Sequence, residues 1–276
     1  MKKVMYSLML AALLVFVGCR DDWWSQPDVT DTTDTTYVPD VTDTIDTTDV
    51  PDTIDTPDVP DTIDVPDAPS GDGLFSVSWG HQVRFAPGNL VYSGGYSFAA
   101  HQYDYGGYFG WGTGSNPTLT SAIYVDYPSF DDWGSHIDGG WRTLSWDEWY
   151  YVIWFRAGAS AKCGAATVCG VHGMVLLPDN FSGGTFNSGM NGWSTNVYDA
   201  SSWSEMEAAG AVFLPAAGRR FGTEMNLVGA SGNYWSSTPY NESYAYVVTL
   251  NGYDVGDCID NYYRSYGYSV RLVQDI

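Results

Sequence analysis

The pattern of apolar and polar positions divides the chain into three stretches. Lys2 and Lys3 precede an apolar run from Val4 to Val17, closed by Gly18 and Cys19. The run is short for a bilayer span and has the length of a signal-peptide core. Residues 27–69 show no apolar period. Pro-Asp-Val, Asp-Thr-Thr and Asp-Thr-Ile units recur there, and Tyr37 is the sole large aromatic. Such a segment buries too little apolar surface to offset its ordering entropy, so residues 27–72 are expected to form a disordered stalk. Its prolines favour an extended chain that reaches up to roughly 130 Å. Apolar periodicity returns in residues 73–276, which are long enough for one domain.

Within that domain the pattern predicts short elements. Trp79 to Leu90 alternates like a strand or hairpin, with Pro87-Gly88-Asn89 as a turn. Residues 101–140 are rich in Gly, Tyr, Asp and Trp without a period and read as long packed loops. Ser145 and Glu148 form a capping box ahead of Trp149, Val152, Ile153 and Trp154, predicting a helix that ends near Arg156. Ser204 and Glu207 predict a second helix, closed by Gly210. Segments 171–177, 211–214, 234–236, 244–250 and 267–273 read as strands. Two short helices, several mainly antiparallel strands and much loop give an α+β domain.

Charge narrows the function. The chain has 33 acidic and 11 basic residues, a net charge of −22. Residues 21–72 hold 16 of the acids and no Lys or Arg, leaving about −9 on the domain. Nucleic acid, which needs a basic surface, is not an expected partner.

Candidate chemistry is sparse. His81, His101, His136 and His172 are scattered without metal-ligand spacing, so no metal site is expected. A structural calcium held by loop carboxylates or carbonyls is compatible with the loops, but no ligand run marks one. Cys163 and Cys169 fall in a Gly/Ala-rich segment read as a loop, where they can form a local disulfide or stay free. No nucleophile–base motif or phosphate-binding loop stands out, and no cofactor is expected.

The N-terminus resembles a bacterial lipobox, which implies cleavage after residue 18 and lipidation of Cys19. Arg20, Asp21 and Asp22 then resemble the surface-export signal of lipoproteins in gut-type anaerobic Gram-negatives, with residues 19–26 as anchor and signal. The implied location is the outer membrane, facing outward. Asp-Thr followed by a small or aliphatic residue resembles an O-glycosylation motif of the same bacteria and marks Thr32, Thr35, Thr44, Thr47, Thr53 and Thr62.

Three segments carry a wider resemblance. They are Trp141-Arg142-Thr143-Leu144-Ser145-Trp146-Asp147-Glu148-Trp149, then residues 208–219 with Gly232-Asn233-Tyr234-Trp235-Ser236-Ser237-Thr238, then Gly267-Tyr268-Ser269-Val270-Arg271-Leu272-Val273. In this order they resemble the C-type-lectin-like fold in its formylglycine-generating-enzyme-like branch. More closely, they resemble the variable proteins of diversity-generating retroelements in lipoprotein form. The resemblance implies that residues 240–268 are rewritten at adenines to form a changeable ligand-binding surface. The composition agrees: Tyr240 to Tyr266 holds seven tyrosines in 27 positions, interleaved with Asn, Asp, Ser and Gly. Of this stretch only Glu242 cannot arise from adenine replacement in an AAC codon.

The expected ligand-binding residues are Tyr240, Asn241, Ser243, Tyr244, Val247, Thr249, Asn251, Tyr253, Asp254, Asp257, Asp260, Asn261, Tyr262, Tyr263, Ser265 and Tyr266. Period-two alternation sends Tyr246, Val248 and Leu250 to the core and Val247, Thr249, Asn251 and Tyr253 outward. Beyond Tyr253 the chain reads as irregular, with Arg264 as a scaffold residue. The expected function is non-enzymatic: a lipid-anchored surface protein whose partner is a protein or glycan on a cell, a phage or a host. The alternatives are a divergent formylglycine-generating-type oxidase and a fixed adhesin on the same scaffold.

Anchoring is directly testable. Cys19→Ala should leave the chain without a fatty-acid label and detached from the membrane fraction. A mutant that still labels and still sediments with membranes would refute the lipobox reading.

Overall fold

The computed structural model describes residues 73–118, 129–189, 192–252 and 259–276. The signal segment, Cys19, the stalk threonines, Tyr253, Asp254, Asp257 and Cys258 lie outside the described residues. The described part falls within one of the chain's two units, Asp61–Ile276.

The architecture is α+β. The elements run in order β1 (Leu74–Ser78), β2 (His81–Phe85), β3 (Leu90–Tyr92), β4 (Tyr96–Phe98), β5 (Trp141–Thr143), α1 (Trp146–Tyr150), β6 (Cys163–Val168), β7 (Val171–Leu176), β8 (Val197–Tyr198), α2 (Ala200–Ala208), β9 (Val212–Pro215), β10 (Arg219–Phe221), β11 (Glu224–Asn226), β12 (Ser231–Pro239), β13 (Tyr244–Asn251), β14 (Ile259–Tyr263) and β15 (Leu272–Asp275). They make a four-stranded sheet β1-β2-β15-β5, a second one β8-β6-β7-β9, a three-stranded sheet β12-β13-β14 and the ribbons β3-β4 and β10-β11. All these strand pairs are antiparallel except β6 with β8.

The capping box forms as expected. Ser145 Oγ accepts from the Glu148 N–H at 3.2 Å, and the Glu148 carboxylate accepts from the Ser145 N–H at 2.8 Å. The helix then widens to a π turn over Tyr151–Phe155, where the Arg156 N–H reaches back to the Tyr151 carbonyl. The second helix begins before the expected Ser204. Asp199 caps it by accepting from the Ser202 N–H, because a carboxylate at the first turn satisfies an orphan amide. Residues 163–168, expected as loop, form β6. Its small residues let it lie flat between two packed neighbours, and alternation was invisible because nearly every position is buried. The last strand is β15, while residues 267–269 contribute only single bridges to other segments.

Three apolar clusters build the core. The first joins both four-stranded sheets to α1 through Phe75, Phe85, Trp149, Met174, Leu214 and Val273. The second gathers Phe109, Trp111, Trp133, Trp235, Tyr268 and Leu272. The third packs α2 on β7 and β9 through Trp203, Met206, Val175 and Phe213. Among the described residues, no helix is long and apolar enough to cross a membrane.

One polar cluster pins the start of the fold. The Arg156 guanidinium is buried, stands 5.0 Å from the Phe75 ring centroid and donates to Asp179 at 3.1 Å. Asp179 also accepts from the Ser76 N–H, the Ser76 hydroxyl and the Gln82 amide at 2.8, 2.7 and 3.0 Å. Burial pushes this carboxyl up, but the donors Ser76, Gln82 and Arg156 together bring it below its ordinary value of 3.8. A carboxyl depressed by folding contributes stability above the unfolded value and loses it as pH falls through the folded one. Asp179→Asn should therefore destabilise the domain by about 3 kcal/mol at neutral pH, since it leaves a buried guanidinium without its counter-charge. The gap between wild type and mutant in chemical denaturation should shrink once pH falls below 3.8. A pH-independent gap would show that the carboxylate charge is irrelevant.

Candidate functional site

The site is built on the β12-β13-β14 sheet and the segment after it. In register, Tyr244 faces Tyr263, Ala245 faces Tyr262, Tyr246 faces Asn261 and Val247 faces Asp260. The opposed Tyr244 and Tyr263 rings stand 4.4 Å apart between centroids. Tyr263 meets Tyr266 at 5.7 Å, and Tyr266 meets Phe221 edge-on at 5.2 Å. The Arg219 guanidinium lies 5.6 Å from the Tyr266 centroid. Tyr262 turns to the opposite face of β14 and packs on buried Tyr268 at 5.7 Å. A second aromatic group runs from Tyr240 to Tyr246 at 5.4 Å, on to Trp146 at 5.2 Å, and to Tyr150 stacked on Trp146. Tyr240 and Tyr263 are exposed, and Tyr244, Tyr246, Tyr262 and Tyr266 are half-buried.

The backbone beneath these rings is held by residues that grip its main chain. The buried Arg264 side chain donates to the carbonyls of Tyr244 and Asn241, and its guanidinium lies over the Trp111 ring at 4.3 Å. The Arg264 N–H donates to the Ser243 carbonyl at 3.0 Å, and the Trp111 N–H donates to the Arg264 carbonyl at 2.8 Å. The Ser236 hydroxyl donates to the Tyr246 carbonyl at 2.9 Å. Arg264 is thus the scaffold residue expected of it.

Two of the phenols, Tyr244 and Tyr262, are held above the ordinary phenol value. The hydrogen bond with Tyr263 raises Tyr244, with burial adding to it. Burial raises Tyr262, and Asp260 beside it adds to the effect. The protonated Tyr244 and Tyr262 hydroxyls can then both donate and accept.

The structure corrects several expectations. Val247 is buried in the second cluster with Ala245, while Val248 and Leu250 enter the first. The sheet lies between two cores, so both faces of β13 are apolar at its centre and a two-residue period cannot identify an outer face. Ser265 is also buried, directly behind Arg264. Tyr246, expected in the core, sits at the half-buried end of the strand against Tyr240 and Trp146. Residues 259–263, expected as irregular, are β14. Asn241 shapes the β12–β13 turn: its side-chain oxygen accepts from the N–H groups of Ser243 and Tyr244, both at 2.9 Å. Thr249 and Asn251 lie at the far end of β13, where the Thr249 hydroxyl approaches Asn233 at 3.3 Å. About 23 Å of strand separates Asn251 from Tyr244. Of the expected set, Tyr244, Asp260, Asn261, Tyr262, Tyr263 and Tyr266 come together, and Tyr240 joins through Tyr246.

Cys163 and Cys169 do not pair and are free. Cys163 opens β6 and Cys169 follows its end, so about 20 Å of extended chain keeps them beyond disulfide reach. Burial pushes the Cys163 thiol up to about 12. Among the described residues, no three His, Cys, Asp or Glu side chains gather to hold a metal ion.

The sequence did not mark Phe221, Arg219 or Trp146 as neighbours of the tyrosines. The one available signal was Phe221 followed by Gly222, an aromatic in a turn-forming segment with no apolar period to place it inside.

A family described as a domain of unknown function, DUF8237, matches residues 191–273. No curated protein and no solved structure matches the chain. The matched span holds α2, β9 to β14 and thus the whole tyrosine cluster.

The grip on the main chain predicts a specific loss. Arg264→Ala should cost about 2–4 kcal/mol, because it removes the guanidinium's bonds to the Asn241 and Tyr244 carbonyls and empties the space over Trp111. Denaturant titration measures it. A change below about 0.5 kcal/mol would show that the turn and strand hold themselves.

Proposed function

We propose that the chain is a lipid-anchored surface protein that binds a ligand through the tyrosine cluster of β13, β14 and the segment ending at Tyr266. In this reading the domain is a C-type-lectin-like scaffold of the formylglycine-generating-enzyme-like kind, and residues 240–268 are its diversified surface. The observation that carries the reading is the way the stretch is held. Arg264 and Ser236 bond to main-chain carbonyls at 241, 244 and 246. Side chains at Tyr244, Tyr246, Asn261, Tyr263 and Tyr266 can then change while the backbone stays. Half-exposed tyrosines offer large, rigid contact area at low rotamer cost, as in antibody paratopes. Asp260, exposed on β14, adds an adaptable hydrogen-bonding group.

The role is binding rather than catalysis. Cys163 is buried with its thiol pushed up, the reverse of the lowered values that make a cysteine reactive. Cys169 lies a strand length from it, so the two do not form a redox pair.

Two measurements test the reading. The first is genomic: a neighbouring reverse transcriptase and a near-copy of the codons for residues 240–273, differing at adenines, are expected. Their absence would remove the diversification and leave a fixed adhesin. The second replaces Tyr244, Asn261, Tyr263 and Tyr266 together with other residues accessible from AAC codons. The melting temperature should hold, while the surface partner that wild type captures by photo-crosslinking is lost. Unchanged capture would place the binding site elsewhere on the domain.

A further inference from the structure

A cleft lies between β8, the first turns of α2 and the segment 184–187, and no residue of the tyrosine-rich stretch lines it. Its volume is about 420 Å³, toward the small end of the roughly 300–1,000 Å³ of ligand sites. Its walls are braced against one another. The buried Asn196 side chain donates to the Ala165 and Asn187 carbonyls at 2.8 and 2.9 Å, and accepts from the Asn187 N–H at 2.8 Å. The Tyr198 hydroxyl donates to the Thr185 carbonyl at 2.7 Å. On α2, the Asp199 cap also accepts from the Ser202 hydroxyl at 2.7 Å. This bracing takes Thr185 and Asn187 by their main chains. The side chains of Thr185, Asn187, Thr195 and Glu205 all line the cleft, and none of them has a hydrogen-bond partner among the described residues. Val197 and Met206 add apolar contact. Among the described residues, no Lys, Arg or His lines the cleft.

We infer that this cleft binds a neutral pyranose, either a free sugar or the end ring of a glycan chain. The hydrogen-bonding capacity of its walls selects that chemistry. The Glu205 carboxylate only accepts, the Asn187 amide offers two donors and an acceptor, and each threonine hydroxyl does both. A cation only donates, so it satisfies Glu205 and leaves the Asn187 donors unmet. An anion only accepts, and it meets Glu205 as a like charge on a chain of net charge −22. Vicinal sugar hydroxyls donate and accept at closely spaced points, and the C–H face of the ring suits Val197 and Met206. The walls need no rearrangement to receive it, because Asn196, Tyr198 and Asp199 already hold them. The inference does not depend on the tyrosine cluster being a binding surface.

The test follows the methyl NMR signals of Thr185, Thr195, Val197 and Met206 in the full chain. The probes are glucose, galactose, mannose and N-acetylglucosamine, each free and as its methyl glycoside. Nα-acetyl-lysine amide and succinate serve as the cationic and anionic controls. At least one sugar should shift these methyls saturably, and neither control should. Binding of the free form alone identifies a free sugar as the ligand, whereas binding of the methyl glycoside as well identifies the end of a glycan chain. Glu205→Ala should weaken the sugar about tenfold or more, the loss expected when a charged acceptor is removed. Asn187→Ala and Thr195→Val should each weaken it about threefold or more, as neutral hydrogen bonds do. All three variants should keep the wild-type melting temperature, because these side chains make no bond within the fold. The proposal is overturned if no sugar moves the cleft methyls, if a charged probe moves them as far, or if Glu205→Ala binds as tightly as wild type. Lower melting temperatures for both Asn187→Ala and Thr195→Val overturn it too, by assigning those groups to folding. A sugar that shifts the Tyr263 and Tyr266 rings and leaves the cleft methyls unmoved also overturns it, and assigns sugar binding to the tyrosine cluster.

Discussion

Arg271 carries its guanidinium into the centre of the domain, with 1% of the residue exposed and three neutral acceptors around it. Its Nε donates to the Asn89 side chain at 3.0 Å, and its two terminal nitrogens donate to the carbonyls of Ala86 and Phe213 at 2.9 and 2.5 Å. Asn89 in turn donates to the Tyr105 carbonyl and the Tyr234 hydroxyl, and Tyr234 donates to the Pro215 carbonyl. One buried cation thus ties the end of β2, the turn before β3, the 101–118 loops, β9 and β12 to the chain entering β15. Burial pushes the guanidinium down to about 10, which measures how unwelcome the charge is there. A buried charge with full hydrogen bonding tolerates few alternative arrangements, because every displaced partner leaves a polar group unpaired. Both four-stranded sheets and the three-stranded sheet therefore share one fixed reference point.

That point sets where the tyrosines stand. Val270 and Leu272 flank Arg271 and pack in the second cluster with Trp235 and Val247. Tyr234 on β12 carries the network to the neighbour of β13. The sheet is consequently clamped on both faces, and among the described residues its end from Tyr240 to Tyr246 and from Asp260 to Tyr266 reaches solvent with its rings. Tyr262 and Tyr266 also pack against the second cluster, so the exposed rings and the core share part of one aromatic surface.

Much of this was legible in the residues, and the failures have a common cause. The Ser145–Glu148 box located α1 because both halves of the cap are local in sequence. The tyrosine-rich composition marked the stretch whose rings gather on β13, β14 and the segment after them. Alternation failed at β6 and at Val247 because it assumes one wet face, and both strands are covered on two sides. The second helix was placed late because Asp199 caps it as well as Ser204 would have, and the sequence offers both. Phe221 and Arg219 were missed for a different reason. Their link to Tyr266 depends on an isolated pairing of Arg220 with Gly267, across 47 positions, that no local pattern encodes.

The same physics limits which positions can vary. Where the scaffold grips a carbonyl and the side chain takes no part in the turn, as at Tyr244, the side chain above is free. Where the side chain itself makes the turn, it is not. Asn241 is such a place, since its oxygen accepts two successive N–H groups. Aspartate offers the same acceptor at the same distance from the backbone and can stand in for it, whereas tyrosine or valine cannot. Buried Ala245 and Val247 are constrained by volume instead, so only small apolar residues fit between the two cores. Under the proposed function, the surface open to change is therefore smaller than the tyrosine-rich stretch. It is confined to positions whose backbone is held from below and whose side chain is asked for nothing by the fold.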